Sequence, residues 1–221
     1  DGRAVLATGA GHVLLAVTGN LSVQSVVNAG SGHLSLTATG DVTQGSAVNV
    51  TGDLLSSAGT IDVAAGGNIV MFDGNNATTV NANVRYFAVG SLTVAAISAG
   101  TGVVSLKATT ITDSGTSDID VTASAVRLEA TGAAGAVGEA TNHLELTVGT
   151  VSAQAGTGGL FLTESDDLIV DTVAAVSVNR IGTDGAVAST PTDAAQADLV
   201  SGGLLVTVTV NGSLTVRGGG D

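Results

Sequence analysis

Two groups of acidic residues are the places where this sequence could hold a metal ion. One group contains Asp113, Asp118 and Asp120, and the other contains Glu164, Asp166, Asp167 and Asp171. Carboxylate oxygens are ligands that Ca²⁺ takes in proteins. Neither the GGxGxD nonapeptide of calcium-filled β-rolls nor the acidic spacing of an EF-hand occurs in the chain. We therefore favour solvated acids at turns, with Ca²⁺ as an additional cofactor whose candidate ligands are Asp113, Asp118, Asp120, Asp166 and Asp167.

The three histidines occupy one position of a repeated segment. His12, His33 and His143 each precede an apolar residue that begins an alternating run. On adjacent coils His12 and His33 would be neighbours, which suits a metal ion or a response to pH. Because His143 is several coils away, we favour exposed corner residues that were copied by duplication.

The basic residues do not form a catalytic cluster in the sequence. The six Lys and Arg residues are scattered singly, and no Ser-His-Asp order, phosphate loop or HExxH motif occurs. Arg85, Lys107 and Arg127 fall at outward strand positions, where a surface ladder of charges is expected. Tyr86 and Phe87 are the only adjacent aromatic residues, which is a thin platform for a sugar. We predict that the protein is not an enzyme and has no catalytic or cofactor-binding residues.

Internal repeats are the elements that must position these residues. Related segments begin at Gly9, Gly30, Ala58 and Gly100, and more divergent copies follow from Ser117 onwards. Apolar and small polar residues alternate within each segment, as in Leu34 to Thr37, which is the period of a β-strand. Gly, Asn or Asp separates the short segments, where the chain must bend.

The spacing of the apolar residues indicates a coil with stacked faces. The steps Val13 to Leu21, Leu34 to Val42, Ile61 to Ile69, Val84 to Leu92 and Leu160 to Leu168 are all eight residues, and the steps Val104 to Ile111, Ile119 to Val126 and Leu144 to Val151 are seven. The steps between successive units vary from 20 to 27 residues. This pattern predicts an all-β protein, a parallel β-solenoid of the right-handed β-helix type with about ten coils of roughly 21 residues.

The sequence also bears on an alternative fold and on a predicted helix. An antiparallel sandwich also has many short strands, but it needs more aromatic core residues than one Tyr and three Phe. The segment 190–203 has a capping Thr190, Pro191 in a first turn and Gly202 as a stop, which predicts a short helix. We therefore expect a single domain over residues 1–221, with an insertion or lateral loop at 179–203 that carries this helix.

Composition and charge restrict the partners. The chain has 221 residues with 32 Gly, 44% apolar residues, 2% aromatic residues, 11% charged residues and a formal charge of −13. The negative charge argues against binding nucleic acid. The sequence has no run of 18 apolar residues, the length that a membrane-spanning helix needs. The absence of Cys fits an extracellular bacterial protein. The chain opens at Asp1 without a leader, so we expect any export signal to have been removed or to lie outside this segment.

The segment GSGHLSLTATGDVTQGSAVNVTGDLLSSAGTIDVAAGGNIVM resembles the haemagglutinin-type repeats of filamentous-haemagglutinin-like giant bacterial surface adhesins. The resemblance covers most of residues 9–172 and 202–217. It implies an exported, elongated protein of the cell surface or extracellular matrix. The motifs of that family's secretion domain do not occur here.

Neither end of the repeat region offers an amphipathic cap. We therefore expect an extracellular structural or adhesive element, either a segment of a long surface rod with neighbouring repeats or a subunit that stacks end to end into a filament, with a host or surface glycan as a further partner. The alternatives are a carbohydrate-binding or carbohydrate-cleaving β-helix and a Ca²⁺-dependent adhesin module.

Overall fold

The chain folds as an all-β parallel β-solenoid of about seven turns. The computed structural model describes residues 3–46, 50–115, 118–203 and 205–218, and no helix occurs in those ranges. Each turn contributes to three columns of stacked parallel strands. At a strand spacing of about 4.8 Å, seven turns make a rod about 34 Å long.

The first column is the longest and carries the side chains discussed below. Its strands are β2 (Val13–Val17), β5 (Leu34–Ala38), β8 (Ile61–Ala65), β11 (Val84–Ala88), β14 (Val103–Ala108), the second halves of β16 (Val121–Ala130) and β18 (Leu144–Ala155), and finally β20 (Leu168–Val170), β25 (Leu199–Ser201) and β27 (Leu214–Val216).

The other two columns complete each turn. The second contains β3 (Leu21–Val23), β6 (Val42–Gln44), β9 (Ile69–Met71), β12 (Leu92–Val94), β15 (Ile111–Asp113), β17 (Ala136–Val137) and the first parts of β19 (Gly159–Glu164) and β26 (Val206–Val210). The third contains β1 (Arg3–Leu6), β4 (Val26–Asn28), β7 (Leu54–Ser56), β10 (Asn76–Thr79), β13 (Ala96–Ser98), the first halves of β16 and β18, and the ends of β19 and β26.

The core is a stack of aliphatic side chains from alternate positions of these strands. The first five positions of both predicted ladders are confirmed; they are Val13, Leu34, Ile61, Val84 and Val104, and Leu21, Val42, Ile69, Leu92 and Ile111. Further along, the ladders depart from the expected phase, since Leu144 lies in the third column, Leu160 in the second and Leu168 in the first. Most of these side chains are fully buried. Period-two alternation therefore fixes which side chains enter the rod.

The corners are held by side chains that reach one coil further along the rod. The side-chain oxygen Oδ1 of Asn20 accepts a hydrogen bond from the backbone N–H of Asp41, and Asp41 Oδ1 accepts one from Asn68. A Cβ atom at Gly59 would collide with the carbonyl oxygen of Gly32 in the coil below. Asn, Asp and Gly at the corners thus follow from the close stacking of backbone on backbone.

Two sequence expectations about the coils are wrong. The rod has about seven turns rather than ten, because the mean step from Val13 to Val151 is about 23 residues and a long segment lies outside the rod. Val126 belongs to the first column, paired with Val104, and Ile119 is 38% exposed rather than inward. The expected phase of the alternation is lost there because β16 continues around a corner at Ser124, where no Gly, Asn or Asp marks the bend.

Residues 171–198, called the arm from here on, leave the first column and return to it. The arm is an antiparallel ribbon in which β21 (Val176–Ser177) pairs with β24 (Thr192–Asp193) and β22 (Arg180–Ile181) pairs with β23 (Val187–Ser189). It overlaps the segment 179–203 that the sequence marks as an insertion. The helix predicted for 190–203 is wrong, because strands β24 and β25 occupy that segment.

The arm lies along the outer face of the first column. Its inward side chains, Val173, Val176, Val178, Ile181, Asp193 and Gln196, are buried. Packing of these residues against the rod outweighs the helical propensity of a short polar segment. The right-handedness expected from the sequence stays a prediction, and no described helix has the length and hydropathy to cross a membrane.

Candidate functional site

Three carboxylates meet at the corner between the second and third columns. One carboxylate oxygen from each of Asp113, Asp120 and Glu145 lies within 4.8 Å of the other two. Asp113 ends β15, and Asp120 and Glu145 directly precede third-column residues that pair with each other, Val121 and Leu146. Asp120 is 1% exposed, and its Oδ2 accepts a hydrogen bond of 2.8 Å from the backbone N–H of Glu145.

The proximity of these acids changes their protonation. Burial raises the pKa of Asp120 to about 10, and the neighbouring carboxyl group of Asp113 acts in the same direction. Burial also raises the pKa of Glu145, and the negative charge of Asp113 adds to that rise. At neutral pH the buried carboxyl group of Asp120 is therefore protonated, because its charged form is unfavourable beside two other acids.

The sequence named two of these three carboxylates. Asp113 and Asp120 come together as the sequence grouping suggested, and Asp118 is exposed but lines the same cavity. Glu145 was missed because it comes from the next coil, 25 residues beyond Asp120. The pairing of Val121 with Leu146 in the third column would have placed Glu145 beside Asp120. The apolar spacing in the sequence predicted the wrong column for these residues, so it did not show this pairing.

Asp166 and Asp167 lie elsewhere, beside a groove lined by Thr147 and Asn211 among others. Oδ1 of Asp167 accepts a hydrogen bond of 2.6 Å from the backbone N–H of Ser213 in the last coil. This is the same corner bond that Asn20 and Asp41 make. The structure therefore gives Asp167 a role in coil stacking.

The histidines occupy corners, and the first two are neighbours. The ring centroids of His12 and His33 are 4.9 Å apart, and Nδ1 of His12 accepts a hydrogen bond of 3.0 Å from the backbone N–H of His33. Burial lowers the pKa of His33, and the positive charge of His12 contributes to that fall. His143 is distant and contacts Thr163. These rings act as corner ladder residues, like the Asn and Asp side chains.

A charged network joins the rod to the arm. Nε and Nη2 of Arg85 donate hydrogen bonds of 3.0 and 3.1 Å to the carboxylate of Asp193, while Arg85 Nη1 lies 3.3 Å from Asp62 Oδ1. Arg180 of the arm donates a bond of 2.6 Å from Nε to Asp62 Oδ2. Ser105 donates one of 2.7 Å to Asp193. Two acids and two arginines thus balance one another beneath the arm.

This network corrects the expectation that Arg85, Lys107 and Arg127 form a surface ladder. Arg85 and Arg127 are 8% and 6% exposed, because the arm covers them. Nε of Arg127 donates to the carbonyl oxygen of Ala194 in the arm at 2.8 Å. Lys107, whose ammonium group lies 3.0 Å from Glu129, is the one of the three that stays half-exposed.

The antiparallel ribbon of the arm was not predicted, although an insertion was expected at 179–203. One signal was present, the dipeptide Asp184-Gly185 between two alternating segments, which marks a hairpin turn. Gly185 has φ of +78°, and the N–H of Gly182 donates to the carbonyl of Ala186 at 2.8 Å. Asp198, with φ of +64°, lies where the chain re-enters the first column.

The last coil leaves the core open at one end. Val206, Leu214 and Val216 stand in register with the buried residues Leu160, Leu168 and Val170, yet they are 45%, 47% and 70% exposed. Within the described residues, β26 and β27 each have a strand partner on one side only. The end therefore presents apolar side chains together with an unpaired strand edge.

No protein family model, no curated protein and no solved structure matches this chain.

Proposed function

We propose that this protein is a structural β-solenoid element whose open end stacks on another coil of the same kind, a second copy of the chain, in an extracellular filament or surface rod. The observation that carries the proposal is the exposure of Val206, Leu214 and Val216 at positions that are core positions one coil below. A further coil in register would bury these side chains and pair the free edges of β26 and β27.

The opposite end offers a complementary surface. Leu15, Val17 and Leu21 of the first turn are only partly buried, although the residues in register with them, Leu36, Ala38 and Val42, are buried. Described strands β2 and β3 likewise have partners on one side only. Contact between two different ends is heterologous, so it propagates into a filament instead of closing.

An extracellular, adhesive role remains part of the proposal. Its support is the composition without Cys, the scarcity of charge on the strands and the resemblance to surface adhesin repeats. The carbohydrate-binding or carbohydrate-cleaving alternative has less support, because Tyr86 cannot offer its ring to a sugar. The side chain is buried in the core, where its hydroxyl group donates a hydrogen bond to Gln44 Oε1. The proposed role is structural and requires no catalytic residue, and a glycan partner stays a prediction.

Sedimentation velocity over a range of concentrations tests the proposal. The chain is expected to form a ladder of species that grows with concentration. Leu214→Lys and Val216→Lys are each expected to weaken this association at least about tenfold, because burying an unpaired ammonium group costs more than the roughly 1.4 kcal/mol that a tenfold change represents.

The matched control is Val89→Lys, which places the same charge on a 58% exposed valine at the side of the rod. This variant should assemble like the unaltered chain. A chain that stays monomeric at every concentration would contradict the proposal, and so would an equal loss of assembly in the Val89→Lys control.

A further inference from the structure

The acidic corner lies where the solenoid otherwise places core residues. Asp113 pairs with Val94, which is fully buried, and earlier strands of the second column end in the buried residues Val23, Gln44 and Met71. A carboxylate at this position is costly, because transfer of a charge out of water is unfavourable unless it is paired. Asp120 accepts a stacking bond from the next coil, but Asp113 only accepts a local bond of 2.7 Å at Oδ1 from the backbone N–H of Gly115, which leaves its second oxygen unused.

Buried oxygen atoms at this corner lack partners. Oδ2 of Asp113, Oγ of Ser114 and Oε2 of Glu145 are all shielded from solvent, and none has a hydrogen-bond partner among the described residues. No ion pair in the described part of the chain reaches Asp113, Asp120 or Glu145. Buried polar groups in folded proteins are satisfied in nearly all cases, so these oxygens indicate a missing partner, which a cation supplies when it displaces the proton that Asp120 holds beside Asp113.

The geometry fits one hard cation. Ca²⁺ binds oxygens at 2.3–2.6 Å, so ligand oxygens on opposite sides of the ion lie about 4.6–5.2 Å apart. The three carboxylate oxygens fall within 4.8 Å of one another. Side chains that could complete six to eight ligands line a cavity of about 210 Å³ beside them, among them Asp73, Asn76, Ser114 and Asp118.

We propose that this corner binds one Ca²⁺ ion between Asp113, Asp120 and Glu145, and that the ion ties the fifth turn to the sixth. The ligands come from successive coils, so the ion would bridge them in the way that a hydrogen-bonded corner residue does elsewhere. A site made only of oxygen atoms favours Ca²⁺ over Zn²⁺, whose protein sites usually include nitrogen or sulfur ligands. Three flexible carboxylates suit Ca²⁺ better than Mg²⁺, which demands a near-ideal octahedron and retains water.

Calorimetric titration of the EDTA-treated chain with CaCl₂, paired with thermal unfolding, tests this site. We expect one Ca²⁺ per chain and a rise in Tm on binding. Asp113→Asn and Glu145→Gln should each lower the affinity by more than about 10–100-fold, the loss typical for residues that only support a ligand.

Asp113→Val separates loss of the site from loss of the fold. Valine is the residue at the equivalent position in Val23 and Val94, so this variant should unfold in EDTA at a Tm equal to or above that of the unaltered chain, with no response to CaCl₂. The matched control is Asp41→Asn, at a corner outside this cavity where Asp41 Oδ1 accepts a bond of 2.7 Å from the N–H of Asn68. This control should keep full Ca²⁺ affinity.

Three outcomes would overturn the proposal: no binding by the unaltered chain, Ca²⁺ binding by Asp113→Val equal to that of the unaltered chain, or a loss of affinity in Asp41→Asn equal to that in Asp113→Asn. Binding of MgCl₂ as tight as that of CaCl₂ would overturn the choice of ion. Failure of this proposal can be told apart from failure of end-to-end stacking. Sedimentation measures the stacking, and calorimetry on the weakly associating Val216→Lys variant measures Ca²⁺ binding.

Discussion

Single outward positions of the first column determine how the arm fits on the rod. Four polar residues stand in register on neighbouring coils, in the order Asp62, Arg85, Ser105 and Arg127. Each finds a partner in the arm or in the next coil. A buried charge without its partner is strongly destabilising, so the ladder and the arm are expected to depend on each other.

Removing Arg85 should therefore cost far more than removing a neighbouring exposed base. Arg85→Ala leaves Asp62 and Asp193 without their shared partner, and we expect a loss of about 3–5 kcal/mol in the free energy of unfolding. Lys107→Ala, the control on the adjacent strand, breaks a half-exposed pair with Glu129 and should cost about 0–1 kcal/mol. Urea unfolding of both variants measures the difference, and equal costs would contradict a buried network.

Asp193 should make the stability of the arm depend on pH. Burial by itself would raise its pKa, but hydrogen bonds from Arg85 and Ser105 and the charges of Arg85 and Arg127 hold the pKa below its usual 3.8. Because the folded state favours the charged form, this stabilisation is complete above the unfolded pKa. It is lost as the pH falls through the lower, folded pKa.

We thus expect the unfolding free energy to drop steeply below about pH 4, and to drop less in Asp193→Asn. Thermal unfolding at a series of pH values provides the comparison. Parallel curves for the two proteins would show that Asp193 does not carry the effect.

A polar pair inside the core is a second test at this scale. The hydroxyl of Tyr86 donates a hydrogen bond of 2.5 Å to Oε1 of Gln44, and both residues are fully buried. Tyr86→Phe should cost about 1–3 kcal/mol, because Gln44 Oε1 loses its donor. The double variant with Gln44→Met, which copies the paired residue Met71, should recover part of this loss in urea unfolding. No recovery would mean that the cost comes from packing and not from the unpaired oxygen.

Among the elements, the arm behaves as an insertion into one strand. Val170 pairs with Val151 and Leu199 pairs with Ala153, so the two ends of the arm stand opposite residues that are two apart in β18. At about 3.3 Å per residue this gap is less than 7 Å. One residue, Asp171, is enough to close it.

Deletion of residues 172–198 should accordingly leave a folded solenoid. We expect an unchanged β-sheet circular dichroism spectrum with a lower Tm, because Asp62, Arg85 and Arg127 lose their cover. Adding Arg85→Ser and Asp62→Ser to the deletion should restore part of the Tm, since serine is tolerated at the same outward position in Ser35 and Ser105. An unfolded deletion variant would contradict the view of the arm as an accessory element.

The elements also show where sequence reasoning succeeds. Through the fifth turn, the columns through Val13 and Leu21 follow from alternation and from Gly, Asn or Asp at most of the corners, so they could be predicted to the residue. The fold of the arm could not, although an insertion was expected at 179–203, because its stability comes from contacts such as Arg85 with Asp193, which are 108 residues apart. Glu145 was not predicted either, because only the correct strand register places it beside Asp120.

The whole molecule is a rod of about seven turns with a lateral arm, an acidic corner and an open core at its ends. The scarcity of aromatic residues fits a narrow core that repeats from coil to coil. Many of the acids lie at corners, where Asp41 and Asp167 accept hydrogen bonds from backbone N–H groups and where Asp113 belongs to the proposed Ca²⁺ site.

Electron microscopy of the purified chain, with helical averaging of any filaments, tests whether the rods stack end to end. We expect filaments one rod wide, in which the coil repeat of about 4.8 Å continues across each junction between molecules and the three strand columns stay aligned. Isolated particles about seven coils long at every concentration, or filaments joined through the sides of the rods, would contradict end-to-end stacking.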